Sequence, residues 1–206
     1  RATHQYLQGD VMHWWHPDPS KDEMGIRTRI SDDLLWLPFV VERYIRITGD
    51  ETVLFTPVSY LSSPSLEEWE NDRYEKAEKT VEKESLYAHC VRALNASLTF
   101  GQNGLPLFKS GDWNDGMNNV KGESVWLGWF MCSVLDKMAY MADIAKDSDG
   151  KKQYTELRRT LMARIEDLAF NGKYYIRGTY SDGAVLGDNN TGCDVDLIVQ
   201  AFAAMY

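Results

Sequence analysis

Apolar residues recur at intervals of three and four in five separate stretches of this chain, and the polar, glycine-bearing segments between them are too long to be simple connections. Over residues 31–47 the face Leu34, Leu35, Phe39, Val40, Tyr44, Ile45 and Ile47 predicts a helix, with Ser31 or Asp32 able to cap it and Gly49 placed to end it. Pro38 fits only near a first turn, which draws the start toward Leu35. The same periodicity predicts helices near 84–99, 123–146 and 152–170, and a fifth that opens near Asp194 and keeps its register to Tyr206. Between them lie 9–30, 50–83, 101–122 and 171–193, against a usual connection of about 4–6 residues, and segments of that length commonly carry function. One short β-hairpin is expected in the last of these, pairing 173–177 with 179–186 around Ser181-Asp182-Gly183. The charged stretch 67–84 reads as a solvated excursion, because at most one position per turn is apolar. The expectation is an all-α chain of stacked helical pairs with long functional loops.

Composition removes several classes of function. With 31 acidic and 22 basic residues among 206, a net charge of −9 and no basic cluster, the chain lacks the positive footprint that nucleic acid or an anionic membrane demands. An aromatic content of 12% supplies enough surface to bury that disorder is excluded. No apolar run approaches the roughly 20 residues of a membrane span, so direct insertion is not expected. Cys90, Cys132 and Cys193 are widely spaced and give neither a disulfide framework nor a metal signature, which predicts a reducing compartment. The first residues lack the apolar core of a signal peptide. With no initial Met and a last helix still in register at Tyr206, the expectation is a piece of a longer protein.

Three loop segments concentrate groups that a fold alone does not require. In 8–17, Trp14 and Trp15 lie between His13 and His16; two indoles with polar rims suit a pyranose, whose C–H face stacks on rings while its hydroxyls seek donors and acceptors. Plugging the core beneath a loop is the equally simple alternative. His13 and His16 lack the third and fourth ligands of a zinc site, so no metal is expected there. In 25–33, Arg27, Arg29, Asp32 and Asp33 lead into the first helix and form either a fork for vicinal hydroxyls or a cap with mutual neutralisation. In 111–118, Asp112 and Asp115 bracket Trp113 between glycines, and a carboxyl held against an indole has its pKa raised, as a general acid requires. A calcium loop remains open because Asn118 and Asn119 follow, although the spacing is not that of an EF-hand and no bidentate Glu closes it.

Four strings in this order, GDVMHWWHP, GIRTRISDDLLWLP, SGDWNDGMN and KGESVWLGWF, resemble the catalytic domain of glycoside hydrolase family 94, the inverting β-glycoside phosphorylases. They are more similar to members acting on β-1,2-glucans than to the cellobiose enzymes, and the resemblance covers essentially the whole chain. It implies an (α/α)6 barrel, of which residues 1–206 would be one incomplete domain lacking the C-terminal helices that carry phosphate donors. It further implies that Asp115 is the general acid, that Trp113 lines the sugar subsite, and that Arg27, Arg29, Asp32 and Asp33 hold the hydroxyls of the nonreducing-end sugar. Lys121 and Glu123 would border the site, although Glu123 is equally well placed to start a helix. Asp112 reads instead as a loop-organising acceptor of backbone N–H groups.

The implied reaction needs one catalytic carboxyl. Asp115 protonates the glycosidic oxygen while phosphate, already an anion and in no need of a base, attacks the anomeric carbon from the opposite face to give α-glucose 1-phosphate. Inorganic phosphate is a co-substrate, and no metal or organic cofactor is implied. The expected partners are a β-glucan or oligosaccharide and phosphate, in a homodimer or a larger multidomain chain. The expected location is the cytoplasm, or the cytoplasmic domain of a membrane-bound synthase. Two other readings stand beside this one: a hydrolase using water with Asp32 or Asp33 as base, and a noncatalytic carbohydrate-binding module. The tripeptides Asn95-Ala96-Ser97 and Asn189-Asn190-Thr191 match glycosylation acceptors, but Asn95 falls in a predicted helix and a cytoplasmic enzyme uses neither.

Overall fold

Each of the five helical periodicities becomes a helix, yet much of the sequence between the first two becomes strand. The computed structural model describes residues 1–21, 23–189 and 192–206. Contacts divide the chain into two units, Arg1–Ser97 and Leu98–Tyr206. The first unit holds β1 (Met12–Trp15), β2 (Met24–Thr28), α1 (Trp36–Thr48), β3 (Pro57–Ser62), β4 (Asp72–Lys76), β5 (Glu78–Ser85) and α2 (Leu86–Ser97). The second holds α3 (Val125–Ile144), α4 (Ser148–Ala169), β6 (Gly178–Thr179), β7 (Val185–Leu186) and α5 (Leu197–Met205). Among the described residues the strands make three antiparallel sheets, ordered β1-β2-β4, β3-β5 and β6-β7.

The all-α expectation, and with it the (α/α)6 barrel it supported, is therefore corrected: the chain is mixed α/β. The stretch 67–84 misled because its strands do not alternate apolar with polar residues. In β4 the half-buried positions are Arg73 and Glu75, which pair with one another at 3.0 Å, while Arg73 also reaches Glu70 at 2.8 Å. Charged residues thus occupy the inward positions, and ion pairing satisfies them where apolar packing was the signal sought. Strand β5 is exposed at nearly every position; it is held by its ladder to β3, whose Tyr60 and Leu61 are buried. A hairpin forms around Ser181-Asp182-Gly183 as expected, but its first arm is Gly178–Thr179, opposite Leu186 and Val185, and the expected arm 173–177 is not a strand.

Helix boundaries follow local chemistry. The first helix starts at Trp36 rather than Ser31, with Pro38 in its first turn, and neither Ser31 nor Asp32 caps it. It ends as expected on Gly49, whose φ of 72° and N–H bond to the Ile45 carbonyl make a left-handed cap. Asp147 caps α4 through the Gly150 N–H, and Asp196 caps α5 through the Ile198 N–H. In the first unit a core of Tyr6, Met12, Leu61 and Ala77 lies under the sheets. In the second, α3 is buried on every face over its first eleven residues, as an apolar helix without a polar stripe must be. Asn95 lies in α2, and Asn190 and Thr191 of the second acceptor tripeptide lie outside the described residues. Among the described residues no helix is long and apolar enough to cross a membrane.

The joint between β3 and α2 makes the first unit sensitive to acid. The His89 ring stacks on Tyr60 at 3.9 Å, and its Nε2 lies 3.1 Å from the Val58 carbonyl oxygen. Burial holds this imidazole below its ordinary value of 6.5, against the Val58 bond and the Glu84 charge, which favour protonation; Arg92 adds to the lowering. The unfolded chain thus binds a proton that the folded chain resists, so stability is complete above about pH 6.5 and falls as pH drops through that value. Denaturant unfolding at about pH 8 and about pH 5.5 should show this loss, and His89→Gln should make its acid slope shallower. Parallel slopes in the two proteins would reject the assignment.

Candidate active site

In the first unit the candidate residues sit on and beside the β1-β2-β4 sheet. Strand β1 pairs with β2 through a bulge between Met12 and Trp14, and Gly25 permits the close approach, since a Cβ there would lie 2.3 Å from the Trp14 carbonyl oxygen. Neighbouring residues on a strand face opposite ways. Trp15 turns inward, stacked on His4 at 4.1 Å and packed on the core, while Trp14 turns outward and is 41% exposed. The two indoles consequently do not form one platform: the core-plug reading holds for Trp15 and the open-ring reading for Trp14. His13 and His16 have separate partners, Asp33 and Tyr74, so they are not positioned as a metal pair.

The arginines and aspartates of 25–33 separate in the same way. Arg27 is buried; it donates to Asp10 from Nε at 2.6 Å and from Nη2 at 2.9 Å, and to Gln8, Ser63 and Pro64. A guanidinium has five N–H donors. All of those on Arg27 are engaged within the chain, so it holds the strand and cannot contact a sugar hydroxyl without giving one up. Arg29 donates to the carbonyls of Leu66, Glu67 and Glu70 and ties down the connection into β4. Asp32 accepts from the Trp36 indole N–H at 2.8 Å. At Asp33, Arg1 Nη1 donates to Oδ1 at 3.2 Å, and Thr28 Oγ1 and His13 Nδ1 both lie 3.0 Å from Oδ2.

In the second unit the acid loop hangs from a buried ion pair. Arg177 Nη2 donates to Asp112 Oδ1 at 2.6 Å and Nη1 donates to Ser124 Oγ at 3.1 Å, while Ser124 donates to Asp112 Oδ2 at 2.6 Å. The same Asp112 accepts the Asn114 N–H, the role expected of it. Ser124 also caps α3 by accepting from the Leu127 N–H, so one hydroxyl joins the loop to the helix start. With both Asp112 oxygens engaged by an arginine, a serine and a backbone N–H, a calcium ion would have to displace charged partners. Trp113 is 59% exposed, and Asp115 is exposed at the start of a short 3-10 turn that Asn114 caps.

Glu123 lies in the interior. Its carboxylate accepts from the backbone N–H of Asn103 and Leu105 and from the Asn103 side chain, so it organises the turn at 101–105 and does not cap α3, and the residue borders the same pocket as Lys121. Its neighbour Lys121 has a φ of 52° and lines a pocket of about 180 Å3 with Gln102, Thr179, Tyr180 and Ser181. Asp10, Ser124 and Arg177 are the functional positions that sequence reasoning missed. Arg177 lies 65 residues from Asp112, and no local pattern connects them.

Removing the arginine alone should therefore be costly, because it strands a buried carboxylate. Arg177→Met is expected to lose about 3–5 kcal/mol of stability, and Asp112→Leu in the same chain to restore a large part of it. Denaturant midpoints of the two variants measure this, and a loss below about 1 kcal/mol for Arg177→Met would show that the pair does not hold the loop.

Comparison with known proteins agrees with the strings that occupy these loops. The family model for the glycosyl hydrolase 94 superfamily, catalytic domain, matches residues 1–206. Cyclic beta-(1,2)-glucan synthase NdvB of Rhizobium meliloti is 39% identical over 99% of this chain, which covers 7% of that protein. Solabiose phosphorylase of Paenibacillus borealis is 25% identical over 90% of the chain, covering 22% of the enzyme. The N,N'-diacetylchitobiose phosphorylase of Vibrio furnissii is 26% identical over 83%, covering 20%. The chain thus spans less than a quarter of the length of these curated relatives. On the match along its whole length, the chain belongs to the glycosyl hydrolase 94 superfamily.

Proposed function

We propose that this chain is part of the catalytic domain of an inverting phosphorylase that acts on β-1,2-linked glucan or oligoglucan. The observation that carries the reading is the contrast within one loop: Asp112 is locked against Arg177 and Ser124, while Asp115, three residues on, stands exposed beside an exposed Trp113. Of the two carboxyls, only that of Asp115 belongs to an exposed residue. Asp115 gives its proton to the glycosidic oxygen as the bond from that oxygen to the anomeric carbon breaks. A phosphate oxygen bonds to the same carbon from the opposite face, so a β-glucoside becomes α-glucose 1-phosphate. Trp113 supplies a ring for the sugar at the cleaved bond. In the first unit, Asp33 and Asp32 accept hydroxyls of a bound glucan.

Phosphate enters as co-substrate and no metal or organic cofactor takes part. The names of the two phosphorylase relatives support the reaction class, and the likeness to the glucan synthase supports the linkage. The buried thiols of Cys90 and Cys132 suit a cytoplasmic location, or the cytoplasmic side of a membrane-bound synthase.

In the full-length protein, Asp115→Asn should reduce turnover on an unactivated glucan on the order of a thousandfold. Asp112→Asn should instead lower the yield of folded protein. Retention of most activity by Asp115→Asn would sink the assignment, and sugar release undiminished by removal of phosphate would transfer the chemistry to water. A second comparison tests the ring: Trp113→Phe should weaken sugar binding modestly and Trp113→Ala much more, whereas equal thermal destabilisation with unchanged affinity would make Trp113 structural.

A further inference from the structure

Strand register places a row of side chains across the outward face of the β1-β2-β4 sheet. Trp14 lies opposite Ile26, and Ile26 lies opposite Tyr74. The alternate residues Gly25, Arg27 and Glu75 belong to the other face, where Gly25 and Arg27 are buried. Trp14 and Tyr74 are 41% and 50% exposed, with ring centroids 5.9 Å apart and planes inclined by 38°. They meet as two sides of a shallow trough instead of covering one another. His16 stands edge-on to both, at 5.5 Å and 88° from Trp14 and 5.9 Å and 86° from Tyr74, and its Nε2 lies 2.8 Å from the Tyr74 hydroxyl oxygen. Contacts on two sides set the orientation of each ring.

Two large aromatic rings left in water forgo the stabilisation that burial would bring, and fixing their angle costs side-chain entropy. Both costs suit a binding surface that must be ready before its ligand arrives. The trough is also continuous with the polar cluster proposed above to hold sugar hydroxyls. Thr28 follows Ile26 on the same face of β2, and its hydroxyl donates to Asp33, on which His13 also converges. Two residues along a strand span about 7 Å, comparable with one sugar ring and its linkage. A peptide or a second copy of this chain would want a broader apolar surface; here the rings are few and their edges carry an imidazole, a phenol, a hydroxyl and a carboxylate. That chemistry fits a neutral polyhydroxylated chain.

We propose that this face is a glucan-binding shelf. Trp14 and Tyr74 stack glucose rings of the same oligomer lying beyond the one held at Asp33, and His16 fixes the Tyr74 ring. The assignment rests on the reading of the protein as glucan-active and deepens it to chain length: the site prefers oligomers over a disaccharide.

The test is equilibrium binding of linear β-1,2-linked glucose oligomers, from disaccharide to pentasaccharide, to the full-length protein without phosphate. Affinity in the parent protein should rise with length. Trp14→Ala and Tyr74→Ala should each remove about tenfold of the pentasaccharide's advantage over the disaccharide, and Tyr74→Phe, which keeps the ring, should retain most of it. Pentasaccharide should also protect Trp14 of the unmodified protein from indole oxidation, read residue by residue by mass spectrometry, which needs no variant to fold. A parent protein that gains nothing with length, or alanine variants that fold and keep the full advantage, would overturn the shelf. So would oxidation of Trp14 undiminished by saturating pentasaccharide. Length-dependent binding with no phosphate-dependent cleavage would instead uphold the shelf and reject phosphorolysis, so the two failures are separable.

Discussion

A guanidinium keeps its proton at any pH a protein survives, so a fold that buries one must bring fixed acceptors to its donors. Each unit does this once. Arg27 is enclosed by Asp10, Gln8, Ser63 and Pro64 with its charge over the Tyr6 ring at 3.9 Å, and Arg177 by Asp112, Ser124 and Asp196 over the Phe108 ring at 4.9 Å. These acceptors come from loops far apart in sequence, and it is the loops that carry the candidate sugar-binding and acid residues. The long connections are therefore held by ionic anchors that their polar composition supplies, in place of the apolar packing that holds a helix.

The same constraint explains what could be read in advance. Helices were legible because their cores are apolar and their periodicity is carried by neighbours in sequence; even Gly49 ended α1 as its position implied. Strand β4 was hidden because Arg73 and Glu75 fill the positions where an alternation of apolar residues would have betrayed it. Buried arginine pairs leave no periodic trace either. Arg27 drew notice beside Asp32 and Asp33, yet its bidentate partner is Asp10, on another strand's approach, and that pairing is set by the sheet.

Among candidate site residues, the acceptor role of Asp112 was legible from the turn chemistry of an aspartate after glycine, which favours local N–H acceptance. The difference between Trp14 and Trp15 was available in principle, since adjacent strand residues oppose one another, but it required recognising a strand that is only four residues long. Glu123 was placed beside the site by its motif, whereas its carboxylate closes a turn twenty residues upstream. A motif preserves residues for the loop's shape as readily as for its chemistry, and only hydrogen-bond partners tell the two apart.

Those partners also bear on the choice between phosphate and water as nucleophile. Water attacking an anomeric carbon needs a carboxylate able to take its proton. Asp33 accepts from Arg1 and Thr28 with His13 on the same oxygen as Thr28, and Asp32 accepts from Trp36. Both acids thus already serve as acceptors within the chain. In the proposed phosphorolysis a nucleophile that arrives already charged removes the need for a base and leaves a single requirement, one acid with access to the leaving group, and Asp115 and Trp113 are both exposed.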